Sequence, residues 1–128
     1  MTRYTRQIQL IGSENQAKLH RARVLVVGVG GLGCPVLELL CSAGIGTLGL
    51  VDFDKVELHN LHRQFLFAEK DVQQLKTAVA VERLQARNSD TIFRTYPYSL
   101  SAQNVFAIIA GYDIVVDCTD NFAVRYLL

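Results

Sequence analysis

The chain has 128 residues, of which 50% are hydrophobic and 20% charged; that is the size of one domain with enough apolar surface to bury a core. Thirteen Lys and Arg face 12 Asp and Glu, a net charge of +1, so nothing pulls the chain as a whole toward nucleic acid or an anionic membrane. No apolar run reaches the roughly 18 residues that span a bilayer, the N-terminus lacks a secretion-signal pattern, and Cys34, Cys41 and Cys118 show no CxxC spacing. These features argue against a disulfide framework or a zinc site within this chain, and for a cytoplasmic α/β domain.

Residues 4–22 read as an N-terminal helical arm. Residues 23–28 are a β-branched run ending in glycine, the pattern of a strand buried on both faces of a parallel sheet. Residues 32–43 follow as an apolar helix stopped by Gly44 and Gly46. Pro35 sits in its first turn, where a missing N–H costs little. Residues 47–52 form a second strand, and 53–72 a long polar connection; long loops in compact domains are usually functional. Residues 75–87 carry apolar side chains at 75, 78, 79 and 84, a helical spacing with a charged opposite face, and Asn88-Ser89-Asp90 breaks it. A third strand covers 92–98, with Pro97 marking its end or an edge. Ser101 can cap a helix over 102–110, ended by Gly111. Residues 113–117 are a fourth buried strand, and another helix begins at 121.

Four alternations of strand and helix, with right-handed crossovers, predict a doubly wound parallel sheet covered by helices. The expected strand order is 3-2-1-4, half of a Rossmann-like fold. The stop two turns into the last helix predicts that residues 1–128, a single domain, are the N-terminal part of a longer protein.

Gly28-Val-Gly30-Gly31-Leu-Gly33 fits GxGxxG between a strand and a helix. The first glycine permits the tight turn, the second lets a ligand approach the backbone, and the third lets helix and strand pack closely. The helix N-terminus adds free N–H groups and a positive dipole end. Asp52 ends the second strand, where an acid accepts hydrogen bonds from ribose hydroxyls. Together they predict a nucleotide site without saying which nucleotide. Asp54, two residues on, reads more readily as a loop or capping residue than as a ligand.

Asn60-Leu-His62-Arg63-Gln64 lies in the long connection, and Lys76 opens the next helix. Arg63 can grip phosphate oxygens with its planar fork, and Lys76 can act as a point charge on a triphosphate. Taken alone, each residue reads more readily as part of a solvated loop or as an ordinary surface lysine. Asp117-Cys-Thr-Asp120-Asn121 leaves the fourth strand at the crevice where the strand order reverses. There Asp120 can hold magnesium through an oxygen, cap the following helix, or both. Nothing near Cys118 argues for a lowered pKa, and Cys34 and Cys41 read as small helix-packing residues.

These residues fall in one order with one further segment, Arg3-Tyr4-Thr-Arg6-Gln7-Ile-Gln-Leu10. With the glycine turn through Cys34, Asp52-Phe-Asp54, Asn60 to Gln64, Lys76 and Cys118-Thr-Asp120-Asn121-Phe122, nearly the whole chain resembles the ThiF/MoeB/HesA family, bacterial relatives of ubiquitin-activating enzymes. The resemblance implies an adenylyltransferase that binds ATP and magnesium. Its partner would be a ubiquitin-like sulfur carrier protein whose C-terminal Gly-Gly carboxylate it activates for molybdopterin or thiamine synthesis. It implies that Gly28, Gly30, Gly31 and Gly33 form the nucleotide turn and that Asp52 holds the ribose. Asn60, Arg63 and Lys76 would contact phosphates, with Gln64 in the same cofactor-binding segment. Asp120 would be the essential acid and magnesium ligand, and Asn121 would lie beside the nucleotide. Arg6 would reach the ATP site of the other subunit of a homodimer. The family's zinc motifs and crossover cysteine would fall beyond Leu128. Two other readings stay open from the residues: an NAD-binding dehydrogenase half, and a non-catalytic nucleotide-binding or dimerisation module.

Overall fold

The computed structural model describes residues 1–120 and 126–128. Asn121 and the start of the expected last helix lie outside the described residues.

The expected strand order is found. The strands β1 (Arg23–Val27), β2 (Thr47–Val51), β3 (Ile92–Tyr96) and β4 (Ile114–Asp117) form one sheet in the order β3-β2-β1-β4. Every pairing is parallel, with Val27 opposite Val51 and Asp117 where the inner strands end. Alternate side chains of β1 go to opposite faces. Val24 and Val26 pack with Leu48 and Leu50 against α3 (Gly33–Ala43) and α4 (Lys76–Arg87), through Leu37, Cys41, Val79 and Leu84. Leu25 and Val27 pack on the other face, against Val105 and Ile108 of α5 (Val105–Ile109). Helices therefore cover both faces, as the Rossmann-like reading requires.

The helix boundaries differ from expectation where local polar chemistry intervenes. The N-terminal arm is two helices, α1 (Thr5–Ile11) and α2 (Ser13–Arg21), broken at Gly12 with φ 86°. On α4 the buried face is Lys76, Thr77, Val79, Ala80 and Leu84; Ala78 is exposed and Leu75 precedes the helix. α5 begins at Val105 rather than 102, because Ser101 and Asn104 close a turn first. The Asn104 side chain accepts the Ser101 N–H at 2.8 Å, and the Ser101 carbonyl, not its hydroxyl, accepts the Val105 N–H at 2.9 Å.

Asn88 does more than end α4. It is buried, and its amide donates to the Tyr4 hydroxyl at 2.8 Å and the Cys41 carbonyl at 3.0 Å. Gln7 donates to the Ala43 carbonyl at 2.7 Å. These bonds fix α1 beside the C-terminus of α3, where β1 and β2 begin. A strand of five residues advances roughly 16 Å, and that length separates α1 from the ends of the strands. Among the described residues no helix is long and apolar enough to cross a membrane.

Candidate nucleotide site

A cavity of about 880 Å³ opens where β1, β2 and β4 end, inside the roughly 300–1,000 Å³ range of small-ligand sites. Its floor is the turn between β1 and α3. Gly28 adopts φ +100°, and a Cβ there would lie 2.8 Å from the Cys118 carbonyl oxygen. A Cβ on Gly33 would lie 1.8 Å from the Gly28 carbonyl oxygen. These two glycines are demanded by the fold itself. Gly30 and Gly31 line the cavity instead. The nearest atoms to a Cβ at either belong to side chains, Gln64 at 3.4 Å and Arg63 at 3.5 Å. Their missing side chains leave room over the backbone rather than relieve a clash. No side chain caps α3 at Leu32; the Cys34 and Val36 N–H groups donate to the Gly30 and Leu32 carbonyls at 3.0 and 3.4 Å, and Pro35 has no N–H.

Asp52 is held from two sides. Its Oδ2 accepts the Val29 N–H at 2.8 Å, and its Oδ1 accepts the Asp54 N–H at 2.8 Å. Each oxygen keeps a further acceptor site. One carboxylate therefore ties the end of β2 to the glycine turn and still faces the cavity it lines.

The connection after β2 delivers the cations. Asn60 and Gln64 are buried, and the carbonyl of Asn60 accepts the N–H groups of Arg63 at 3.2 Å and Gln64 at 3.0 Å. The Asn60 side chain closes the turn by accepting the Glu57 N–H at 2.9 Å. Farther along, buried Asp71 accepts the Ala68 N–H at 2.8 Å and pairs with Arg83 of α4 at 2.7 Å, which anchors the segment to the body. Lys76 is only 5% exposed; among the described residues its one ion pair, to the exposed Asp54, is long at 4.0 Å. A buried ammonium with so weak a partner is costly unless an anion joins it. The surface-lysine reading of Lys76 is therefore replaced by a buried cation on a cavity wall. Arg63 is exposed and pairs with no carboxylate among the described residues. Gln64 is 3% exposed, and its Oε1 has no hydrogen-bond partner among the described residues.

Asp120 lines the cavity from the β4 side. The turn that carries it is shaped by Asp117, whose Oδ1 accepts the Thr119 N–H at 2.9 Å and hydroxyl at 2.7 Å. Asp54 joins the site as the partner of Lys76, a role the sequence did not favour. Phe53, Tyr98 and Leu100 add an apolar wall; the signal that finds them is their position just past the ends of β2 and β3, where ligands of such sheets bind. None of the cysteines is an activated nucleophile. Burial pushes the Cys34 thiol up from 9.0 to about 12. Burial also raises Cys41 and, together with the Asp117 charge, Cys118.

The structure thus brings Gly28, Gly30, Gly31, Asp52, Asn60, Arg63, Gln64, Lys76 and Asp120 to one cavity. Gly33 supports it from beneath. Arg6 is absent from the cavity wall; it is exposed on α1, at the opposite end of the sheet. Asn121 lies outside the described residues.

Known proteins resemble this chain in sequence and fold. The chain is 48% identical to a sulfur carrier protein adenylyltransferase of Thermus thermophilus, over 100% of this chain and 48% of that protein. It is 46% identical to the adenylyltransferase and sulfurtransferase MOCS3 of Xenopus laevis, over 98% of this chain and 28% of that protein. The chain spans about half the length of the first of these relatives and under a third of the second. Among solved structures, E. coli tRNA N6-threonylcarbamoyladenosine dehydratase, TcdA, in complex with ATP superposes with a TM-score of 0.89 at 29% identity, over 93% of this chain and 49% of that one. E. coli MccB with ATP gives 0.85 at 33% identity, over 94% and 38%. Residues 4–128 match the ThiF family, and the chain belongs to it.

Proposed function

We propose that this chain is the ATP-binding part of an enzyme that adenylates the C-terminal carboxylate of a ubiquitin-like sulfur carrier protein. The observation that carries the reading is Lys76, a buried ammonium with one 4.0 Å partner, on the wall of a cavity floored by a glycine turn. The names of the relatives support the activity, and the ATP complexes of the structural neighbours support the nucleotide. An NAD-binding dehydrogenase half would share the turn and Asp52, but it has no use for Lys76 and Arg63 together.

In this reading the triphosphate lies along the glycine turn. The Gly30–Gly31 backbone cradles it, with the positive end of the α3 dipole behind. Asp52, locked by two backbone N–H groups, accepts from the ribose hydroxyls. A carrier carboxylate oxygen attacks the α-phosphorus. The new O–P bond forms as the bond to the bridging oxygen breaks, and pyrophosphate leaves with the electron pair. Lys76 and Arg63 stabilise the charge that gathers on the phosphate oxygens. Magnesium is commonly held by one or two carboxylates plus substrate phosphates, and Asp120 is a cavity carboxylate that fits that demand. The ion would supply further charge neutralisation there. Arg6, remote from its own cavity, serves a partner subunit of a homodimer. We place the reaction in the cytoplasm, in molybdopterin or thiamine synthesis.

ATP–pyrophosphate exchange tests the reading. The full-length protein should catalyse exchange only with magnesium and a carrier ending in Gly-Gly. Tight NAD binding without ATP binding would defeat it.

A further inference from the structure

His62 precedes Arg63 at the rim of the cavity, and nothing above gives it a role. Its Nδ1 lies 2.9 Å from the His59 carbonyl oxygen. A carbonyl oxygen only accepts, so Nδ1 carries the proton. In the neutral ring Nε2 then holds a lone pair. That atom is 3.4 Å from NH1 of Arg63, a group that only donates. The same NH1 is 3.4 Å from the His59 carbonyl. The three groups satisfy one another in a single tautomer and in no other.

Arg63 needs such a tether. It is exposed, it pairs with no carboxylate among the described residues, and a free arginine stem carries about 2 kcal/mol of rotamer entropy. Yet its Cγ, Cδ and Nε lie over Gly31, at 3.7, 3.5 and 3.6 Å from the place of a Cβ. An acidic tether would cancel the charge that a phosphate needs. A neutral acceptor holds the guanidinium and leaves its charge intact.

We propose that neutral His62, protonated on Nδ1, is the positioning residue for Arg63, holding its guanidinium over the glycine turn. The inference rests on the reading of Arg63 as a phosphate contact. It requires an unprotonated Nε2. A second proton on the ring must go to Nε2, which then faces the guanidinium as a like charge and can no longer accept. The other titratable or charged groups at this rim are Glu57, which pairs with His59 at 3.2 Å, and His59 itself. Asp54 and Lys76 lie along the same cavity.

Two measurements on the full-length protein separate the tether from the phosphate reading. Side-chain ¹⁵N spectra of the protein without nucleotide should show His62 as the Nδ1–H tautomer, and Arg63→Ala should release it toward the mixed populations of a free imidazole. A dominant Nε2–H form in the wild type overturns the proposal, whatever ATP does. ATP-magnesium titration gives the second readout. His62→Phe should weaken binding about two- to tenfold, the scale of one net hydrogen bond, and His62→Gln, which keeps an acceptor, should stay within about twofold. In an Arg63→Ala background the His62→Phe loss should vanish; an equal loss there overturns the proposal. Unchanged ATP binding by Arg63→Ala, with the Nδ1–H tautomer present, would instead overturn the phosphate reading.

Discussion

The Nζ of Lys76 stands 4.0 Å from Asp54 Oδ2, yet the lysine side chain is 6% exposed and the aspartate 56%. The anion keeps most of its hydration while the cation has lost nearly all of its own. That asymmetry marks Lys76 as waiting for a second anion, and it yields a prediction with two readouts. Lys76→Met removes the charge and keeps the stem, so it should leave Tm unchanged or raise it, as replacement of a buried charge often does. It should weaken ATP binding about 10- to 100-fold, the scale of a charge-assisted contact. A large fall in Tm with ATP affinity retained would make Lys76 a structural cation.

The glycines divide by the same logic. Gly33→Ala places a Cβ 1.8 Å from the Gly28 carbonyl oxygen and has only backbone to displace. It should cost several kcal/mol, as overpacking at a rigid contact does, and thermal melting should show it. Gly31→Ala meets only the Arg63 stem at 3.5 Å. Its Tm should stay within a few degrees while ATP affinity drops, because the added methyl occupies the ligand's side of the turn. Equal melting losses would show that Gly31 serves the fold alone.

Asp52 joins fold and site in one carboxylate. Asp52→Asn keeps a single acceptor for two N–H groups, those of Val29 and Asp54, and turns an amide donor toward one of them. Losing the part-buried Val29 partner costs about 1–3 kcal/mol, and losing the exposed Asp54 partner, which water can replace, costs less. Chemical denaturation should register that loss, and ATP binding should weaken in the same variant. Full stability in Asp52→Asn would mean that the turn holds without this tie.

The fold was legible because β1 and β4 are β-branched runs closed by Gly28 and Asp117 and strands alternate with helices along the chain, and the 3-2-1-4 order follows from right-handed crossovers. The site was legible in its types but not in its burial. The spacing of α4 counted Ala78 as core and treated Lys76 as a candidate surface residue, while the structure exposes the first and buries the second. A hydrophobic pattern cannot show a lysine whose burial depends on a loop folding over it. The loop's own anchors were equally hidden: Asp71 with Arg83, and Asn60 with Glu57, are polar pairs inside a segment that reads as a solvated connection. The split of the N-terminal arm at Gly12 was readable from glycine's cost within a helix.

The thiols give a pH prediction with a definite sign. Burial raises Cys34 from 9.0 to about 12. The native state therefore keeps a proton that the unfolded chain releases above about pH 9. The stabilising difference is complete below that pH and is lost as pH rises toward 12. Unfolding free energy should fall above pH 9 by at most about 1.4 kcal/mol per pH unit from this group. Cys34→Ala should flatten that part of the profile, and a native Cys34 that reacts rapidly with a thiol reagent at pH 8 would contradict the assignment.

The remaining prediction concerns Arg6. It belongs to α1, which Gln7 and Tyr4 fasten beside Ala43 and Asn88, at the start of the strands. The cavity with Asp120 lies at their ends, roughly a five-residue strand away. An arginine cannot cross that distance around its own sheet without unfastening α1. If Arg6 serves a nucleotide, it serves one bound to another subunit, as an arginine supplied in trans. Closed oligomers are most often two-fold dimers, so each site would receive one such arginine. Arg6→Ala and Asp120→Asn homodimers of the full-length protein should each be nearly inactive in ATP–pyrophosphate exchange. Mixed and allowed to exchange subunits, they should regain activity, because one site of each heterodimer joins an intact Arg6 to an intact Asp120. About half the dimers at equal mixing are heterodimers with one good site each, so recovery should approach roughly a quarter of wild type. Verified subunit exchange without recovery would remove Arg6 from the site of the partner.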